Sequence, residues 1–373
     1  YEIVFGDWSS DVCSSDLPCD TASTALPPSA IYHWTGSAGN NWGSATSWAP
    51  ERIIPAPNDR LIFDHGSSVV ISEVPSQTVG QIHVLSETSV MLQGSGTLVI
   101  GGDWGDDLLV DPGCQLNLSG SGVLQLSLDS NATAAIHGQM TFSGGGHRLL
   151  APAPQSITFQ AGSQFKAGSG FSGNAFGTVY YGSVIFQSGS TYVAMAGGNP
   201  FGAPAPASVV VFHPGSLYRI DAYHVPSFGG RTYGNFEMNY PGMITATGNA
   251  AVNIDHFTAS QGSFYFNVTG NPGHVIRGNL HVCPPATLFF SPSSSGTIHF
   301  SGNESQTISG SGSVISGINS RIVIDNPSGV VCEMDTELND LIIGEGASVV
   351  VLPDITLTVE GELVYLSLPP DFK

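Results

Sequence analysis

"VIFQSGSTY", residues 184–192, is the middle one of three segments that align without gaps. The other two are "ITFQAGSQF" (157–165) and "VVFHPGSLY" (210–218). All three share a β-branched residue, a phenylalanine, a Gly-Ser pair and a final aromatic residue, and their glycines are Gly162, Gly189 and Gly215. The pattern predicts two short strands joined by a tight turn, because glycine readily adopts the positive φ of such turns.

The same frame extends along the chain at steps of about 25 residues. It reaches the following positions: Thr88, Gly113, Gly138, Gly242, Gly262, Ala286, Gly329 and Gly346. A unit of about 25 residues with three short strands closes one coil of a parallel β-helix, and coils stack about 4.8 Å apart. We therefore expect an all-β, single-stranded parallel β-helix (β-solenoid) of about 11–12 coils over residues 65–366, roughly 50–60 Å long.

Two other all-β architectures fit the spacing less well. A β-sandwich array needs units of about 90–100 residues with seven strands each. A propeller needs blades of about 40–50 residues. The short period favours the solenoid.

The composition excludes several classes of partner. The chain has 373 residues, with 9 Lys+Arg against 29 Asp+Glu and a formal net charge of −20. This balance argues against binding nucleic acid or an anionic membrane surface, since both need clustered cations. No stretch approaches the roughly 18 consecutive apolar residues of a membrane span, so none is predicted.

The beginning of the chain is unlike the rest. Its "DWSSDVCSSDL" (7–17) resembles a translated sequencing adapter and has neither the basic nor the apolar region of a secretory leader. We expect residues 1–31 to be a disordered, artefactual leader without function, in place of a lost native leader. Residues 367–373 are expected to form a short tail.

Three tryptophans precede the first repeat, within residues 32–64. Trp34, Trp42 and Trp48 are spaced by 8 and 6 residues. The first coil of a solenoid exposes its apolar interior and its strand edges, and such ends need a cover. We expect these rings to form an N-terminal cap over residues 32–64; the alternative is a platform on which sugars stack.

The cap segment "YHWTGSAGNNWGSATSWAPERIIPAPNDRLIFD" resembles the segment that opens β-helical stretches in large secreted bacterial surface proteins, including type IX-exported, adhesin-like ones. The matching residues are Trp34, Trp42, Trp48, Pro57, Asn58 and Asp59. Residues 296–330 are similar to the repeats of those proteins. The resemblance implies a right-handed parallel β-helix in an extracellular or cell-surface bacterial protein. It also implies a non-catalytic structural or adhesin-like function, glycans or other cell-surface components as partners, and missing adjoining domains of a longer chain.

A carbohydrate-active enzyme is the competing hypothesis. A polysaccharide lyase needs a basic residue beside acids, and a glycosidase needs two carboxylates about 5–9.5 Å apart. Between residues 130 and 300 the acids are only Asp221, Glu237 and Asp255. We therefore predict no catalytic residues, and keep a lyase or glycosidase as the alternative.

Glycan contact is the third hypothesis. Its candidate residues are Tyr192, Tyr218, Arg219, Asp221 and Arg231. A carbohydrate-binding module would expose a row of aromatic rings, drawn from Tyr180, Tyr181, Tyr192, Tyr218, Tyr223 and Tyr233.

Metal binding has one weak candidate, the cluster Asp103, Asp106, Asp107 and Asp111. Oxygen ligands suit Ca²⁺, but the spacing is not that of a calcium loop, and a solvated loop is the alternative. No other cofactor is expected. Cys19, Cys114, Cys283 and Cys332 lack metal-ligand spacing. Cys114, Cys283 and Cys332 stand at apolar positions and are expected as small core residues, while the eleven histidines are expected at the surface or in turns.

Overall fold

The chain folds as a right-handed parallel β-solenoid of about twelve turns of about 24 residues, which confirms the predicted fold class. The computed structural model describes residues 29–36, 40–101, 105–291 and 293–366. Most of the expected leader (1–28) and the expected tail (367–373) lie outside these residues. Within them the one helical element is a 3-10 turn, Ala45–Ser47.

Thirty-eight short strands build the described part of the solenoid. The first thirteen are β1 Ile31–Trp34, β2 Trp48–Ala49, β3 Arg60–Phe63, β4 Ser68–Val74, β5 Gln77–Val79, β6 Gln81–Val84, β7 Ser89–Gly94, β8 Gly96–Ile100, β9 Asp106–Val110, β10 Gln115–Ser119, β11 Leu124–Leu128, β12 Thr133–Ile136 and β13 Gln139–Phe142. The next twelve are β14 Arg148–Leu150, β15 Ile157–Phe159, β16 Gln164–Ala167, β17 Val184–Phe186, β18 Thr191–Ala194, β19 Val210–Phe212, β20 Leu217–Ile220, β21 Asn235–Met238, β22 Met243–Gly248, β23 Asn253–Ile254, β24 Phe257–Ala259 and β25 Ser263–Val268. The last thirteen are β26 Gly270–Ile276, β27 Leu280–Val282, β28 Thr287–Phe290, β29 Gly296–Phe300, β30 Gln306–Gly310, β31 Ser313–Ser316, β32 Arg321–Ile324, β33 Val330–Cys332, β34 Thr336–Leu338, β35 Asp340–Ile343, β36 Val349–Val351, β37 Leu357–Val359 and β38 Leu363–Tyr365.

The strands form three faces, which the chain visits in turn. The second face is one unbroken thirteen-stranded sheet from β4 to β36. The first face consists of a nine-stranded sheet from β2 to β19 and a six-stranded sheet from β23 to β38. The third face consists of a four-stranded sheet from β5 to β14 and a six-stranded sheet from β22 to β37. Neighbouring strands are parallel, except that β2 runs antiparallel to β1.

Alternation along each strand places one set of side chains inside. Because pairing is in register, these residues stack into continuous columns. One column of the second face runs Val90, Leu116, Met140, Phe165, Tyr192, Tyr218, Phe236, Phe257, Leu280, Ile308 and Cys332. All of these side chains are buried, so the interior is a single apolar core.

The three central coils depart from this scheme, because loops replace the third-face strand. Residues 168–183 and 195–209 take its place, and residues 221–234 replace the first-face strand of their coil as well. These loops bury four phenylalanines, Phe171, Phe176, Phe201 and Phe228. Stacked rings such as Phe159–Phe186, with centroids 4.5 Å apart, fill the interior here. We call this region, residues 157–234, the waist.

One strand ladder joins the two halves of the solenoid at the end of the waist. The first-face sheets are separated between β19 and β23 and the third-face sheets between β14 and β22. The second face alone continues as a sheet from β20 to β21, through four residue pairs from Leu217–Asn235 to Ile220–Met238. Tyr233 packs across this junction, with its ring centroid 5.4 Å from Phe201 and 5.1 Å from Phe236. Aromatic packing thus supplements the single ladder.

The predicted repeat frame holds at one corner and shifts elsewhere. Glycines with positive φ lie at the turn from first to second face: Gly113, Gly162, Gly189, Gly215, Gly329 and Gly346. By contrast, Gly242, Gly262 and Ala286 lie at the next corner, from second to third face. The predicted frame is one residue out of register at Thr88 and at Gly138, because Ser89 pairs with Gln115 and Gln139 pairs with Gln164. Glycine serves both corners, so its spacing alone cannot tell them apart.

Candidate functional site

The three tryptophans form the N-terminal cap. Trp34, Trp42 and Trp48 are each 2% exposed. Trp48 lies edge-on to both others, with ring centroids 4.9 Å from Trp34 and 5.4 Å from Trp42, and all three pack on Phe63. Because the rings are buried, they leave no face on which a sugar could stack. The cap also continues the solenoid, since β1 and β3 belong to the first-face sheet.

A buried ion pair fastens the cap. Arg52 Nε donates to Asp59 Oδ2 at 2.7 Å, and the two side chains are 2% and 1% exposed. The same carboxylate oxygen accepts the backbone N–H of Ala56 at 2.8 Å. The guanidinium lies over the rings of Tyr32 and Trp48, 5.8 Å from each centroid. The aspartate that carried the family resemblance therefore has a structural role here.

The described members of the acidic cluster lie on one coil, at β9 and directly after it, but they contact residues of the coil before and the coil after. Asp107 Oδ2 accepts the backbone N–H of Thr133 at 3.0 Å, and Asp106 Oδ1 lies 3.0 Å from the hydroxyl of Thr133. Asp111 Oδ1 lies 3.1 Å from His83 Nε2, on the coil before. Asp103 lies outside the described residues, and these contain no group of three or more His, Cys, Asp or Glu able to hold a metal ion. The calcium site stays a prediction without support from this geometry.

The tyrosines are split between the interior and the surface. Tyr192, Tyr218 and Tyr233 are each 1% exposed and lie inside the waist, and the rings of Tyr192 and Tyr218 stack at 5.3 Å. Burial raises the pKa of the Tyr218 hydroxyl well above its ordinary value. The expected glycan contact of Tyr192 and Tyr218 is therefore wrong. Both side chains occupy inward positions, on β18 and β20, and belong to the core. Tyr180, Tyr181 and Tyr223 are exposed but belong to loops and form no strand-borne row.

Arg219 and Asp221 lie together on the outward side of the second face. Arg219 Nη2 donates to Asp221 Oδ2 at 2.8 Å, and Asn239 Nδ2 donates to Asp221 Oδ1 at 2.8 Å. Glu237 is directly opposite Arg219 in the next coil and accepts the Ser260 hydroxyl at 2.6 Å. The hydrogen bond from Arg219 to Asp221 raises the pKa of this guanidinium. Two carboxylates therefore flank one arginine.

Arg231 is 3% exposed, so its guanidinium is not on the outer surface. It donates to the carbonyls of Ala203 and Ala207, the latter at 2.7 Å, and to the Ser227 hydroxyl at 3.0 Å. Its charge lies 4.4 Å from the Phe201 ring centroid. Arg231 thus ties two loops of the waist together and lies apart from Arg219 and Asp221.

Sequence reasoning missed a recurrent pair of histidine and aspartate on the first face. His33 lies 2.9 Å from Asp64, His83 pairs with Asp111, and His299 pairs with Asp325. Each histidine is on a first-face strand, and each aspartate directly follows the next strand of that face. The available signal was a His–Asp spacing of about one coil, which becomes visible only once the strand register is known.

An outward aromatic pair was also missed. Tyr265 and Phe289 face each other across β25 and β28, with ring centroids 4.4 Å apart and nearly parallel planes. Both are half-buried on the third face. Their spacing of one coil was the sequence signal.

The described cysteines are free thiols. Cys114 and Cys332 are buried, as expected of core residues, whereas Cys283 is half-buried. Burial raises the pKa of the Cys332 thiol to about 11, which keeps it protonated and poorly nucleophilic. The expected surface or turn position of the histidines is wrong for His274, which is buried on β26, whereas the buried His147 and His224 lie in links between strands.

Comparisons with known proteins give no match: no family model, no curated protein and no solved structure is significantly similar. Across the described part of the chain, no helix is long and apolar enough to span a membrane.

Proposed function

We propose that this chain is a non-catalytic, structural or adhesin-like segment of a secreted or cell-surface bacterial protein. The observation that carries the proposal is the unbroken second face, thirteen parallel strands over one continuous apolar core. Such an architecture holds surface groups at fixed spacing along a stiff rod. Its partners would be glycans or other cell-surface components.

The outward polar groups support this proposal because many of them join one coil to the next. The three His–Asp pairs, the contacts of Asp106 and Asp107 with Thr133, and the Asp221–Asn239 bond all cross between coils. Groups engaged in this way stabilise the stack and are less available for chemistry.

The last described coil supports a place within a longer chain. Val350, Val351, Leu363 and Tyr365 on that coil are 40–51% exposed. Apolar side chains beside an open strand edge suit the stacking of a further coil or domain.

Two experiments test the proposal. Purified protein is screened for product release from a panel of polysaccharides, and release from any polymer would refute the non-catalytic part. In intact cells of the source organism, an antibody to the chain and added protease should both reach it without lysis. Protection from protease until lysis would refute the surface location.

A carbohydrate-active enzyme remains a second candidate, favoured by one observation. Arg219 lies beside the carboxylates of Asp221 and Glu237. Both raise the pKa of its guanidinium, Asp221 chiefly by accepting its hydrogen bond and Glu237 by its charge. If the polysaccharide screen detects turnover, Asp221→Asn and Glu237→Gln should each reduce it at least 100-fold. Unchanged turnover in both variants would place the activity elsewhere.

A further inference from the structure

Two arginines are almost fully buried, and they differ in what neutralises them. Arg52 is paired with the carboxylate of Asp59. Within the described residues, Arg231 donates to neutral oxygens alone, those of Ala203, Ala207 and Ser227. A guanidinium has five N–H donors, so these three bonds leave two for another acceptor. A buried charge without a counter-charge is costly, and an anion would lower that cost.

A groove of about 540 Å³ opens beside Arg231. It is formed by residues 199–205, residues 226–231 and the end of β22 with Asn249. Its volume lies in the usual range of small-ligand sites, about 300–1,000 Å³. It lies where the third-face strand is missing, so a ligand could enter between loops without displacing a strand.

The charge of this groove distinguishes it from two other grooves on the solenoid. Among the described residues that line it, Arg231 is the one charged residue and none is acidic. A groove at residues 73–122 includes Glu73, and a groove at residues 312–358 includes Asp335 and Glu337. In a chain of net charge −20, an acid-free groove with a cation favours an anionic ligand.

The remaining walls indicate what kind of anion fits. Asn199, Thr247 and Asn249 offer amide and hydroxyl groups, and Pro204 and Ala205 offer C–H surfaces. Hydroxyl groups and the C–H face of a pyranose ring match these walls, whereas a bare inorganic anion would leave most of them unused. The planar guanidinium suits a carboxylate, which can accept two parallel hydrogen bonds.

We propose that this groove binds a uronic-acid unit of an acidic polysaccharide, with the sugar carboxylate on Arg231. The site goes beyond the rod function proposed above, which stands whether or not the groove is occupied. Burial lowers the pKa of Arg231, in keeping with a guanidinium that lacks a carboxylate partner.

The test is calorimetric titration of the full chain with trigalacturonate and with its fully methyl-esterified, neutral counterpart. We expect the free acid to bind at least tenfold more tightly than the ester, and its affinity to fall as NaCl rises. Asn249→Asp adds one negative charge to the exposed groove rim with almost no change of shape, and should weaken trigalacturonate binding about tenfold. Asn303→Asp makes the same change at an exposed position outside the groove and should leave binding unaltered.

Several results would overturn the proposal. These are equal affinity for acid and ester, no binding of trigalacturonate at 10 mM, or equal effects of the two Asn→Asp variants. Inorganic phosphate that displaces trigalacturonate when both are present at equal concentration would overturn the sugar specificity. The groove would then be a general anion site. Arg231→Gln should abolish acid-specific binding. If that variant fails to fold, the comparison of Asn249→Asp with Asn303→Asp still tests the proposal.

Discussion

At the scale of single residues, the interior of the waist is a column of aromatic rings. Phe212 stacks on Phe186 at 5.1 Å and lies 6.0 Å from Tyr233. Its chain neighbour Val211 points outward and is 37% exposed. Phe212 and Val211 lie on the same strand, but Phe212 faces the core and Val211 faces outward. Substitutions at the two positions therefore separate the effect of core packing from that of backbone position.

Phe212→Ala should lower the free energy of unfolding by about 3–5 kcal/mol, because a large cavity is left beside rings that cannot collapse into it. Val211→Ala should change it by less than about 1 kcal/mol. Chemical denaturation followed by circular dichroism measures both. Similar losses in the two variants would contradict the assignment of Phe212 to the core.

A buried histidine gives the stability a pH dependence of definite sign. His274 is fully buried, and its Nδ1 accepts the backbone N–H of Val252 at 3.2 Å. Burial, aided by the charge of His299, lowers the pKa of His274 from 6.5 to about 4. Between these pH values the unfolded chain binds more protons than the folded chain. The contribution of His274 is therefore complete above pH 6.5 and is lost as pH falls toward 4.

We expect His274→Gln to flatten the fall in unfolding free energy between pH 6.5 and pH 4. His281→Gln changes an exposed histidine and serves as the control. Denaturation curves at pH 7, 5.5 and 4 measure the difference. A wild-type slope that persists in His274→Gln would show that other groups cause it.

At the scale of elements, the N-terminal cap and the central repeats differ in how they are held. The repeats rely on stacked apolar columns, whereas the cap adds the buried Arg52–Asp59 pair. Removing one partner of a buried pair leaves an uncompensated charge and costs about 3–5 kcal/mol. An exposed pair such as His33–Asp64 contributes much less.

Asp59→Asn should therefore open the cap locally, although the amide oxygen can still accept the Ala56 N–H. We expect amide hydrogen exchange in residues 30–63 to become at least 100-fold faster, with little change beyond the waist. Asp64→Asn is the matched control and should alter the exchange less than fivefold. Equal exchange in both variants would contradict a fastening role for the ion pair.

The repeat units also show how far sequence could predict the fold. The three aligned segments gave the strand-turn-strand unit correctly, because Gly162, Gly189 and Gly215 all have positive φ at one corner. The predicted repeat frame does not hold at Gly262. This glycine lies at the corner from the second to the third face, which also uses a glycine with positive φ. At the candidate sites, Arg219 and Asp221, which are close in sequence, do meet as an ion pair, and their contact with a glycan stays a prediction. The predicted glycan contact is wrong for Tyr192 and Tyr218. Side chains alternate between the two sides of a strand, and the sequence does not show which side faces the interior until the geometry of the coil is known.

At the scale of the whole molecule, the solenoid consists of two blocks of coils, one ending at β20 and one beginning at β21. The coils within a block are joined differently from the two blocks. Within each block most coils are joined through two or three faces. Between the blocks, the four residue pairs of β20 and β21 form the strand ladder. Arg231 and Tyr233 reinforce this junction from the loop side, which places the proposed groove where the blocks meet.

This junction has a mechanical consequence, since hydrogen bonds between coils run along the rod and bear any load applied to its ends. A pull should first break the single β20–β21 ladder and release residues 221–234, an extension of about 45–50 Å at about 3.3–3.6 Å per residue. Later steps should release whole coils, about 80 Å each. Single-molecule stretching measures both step sizes, and a first step of full coil length would place the yield point elsewhere. A rod built this way would lengthen slightly under tension before any of its coils unwinds.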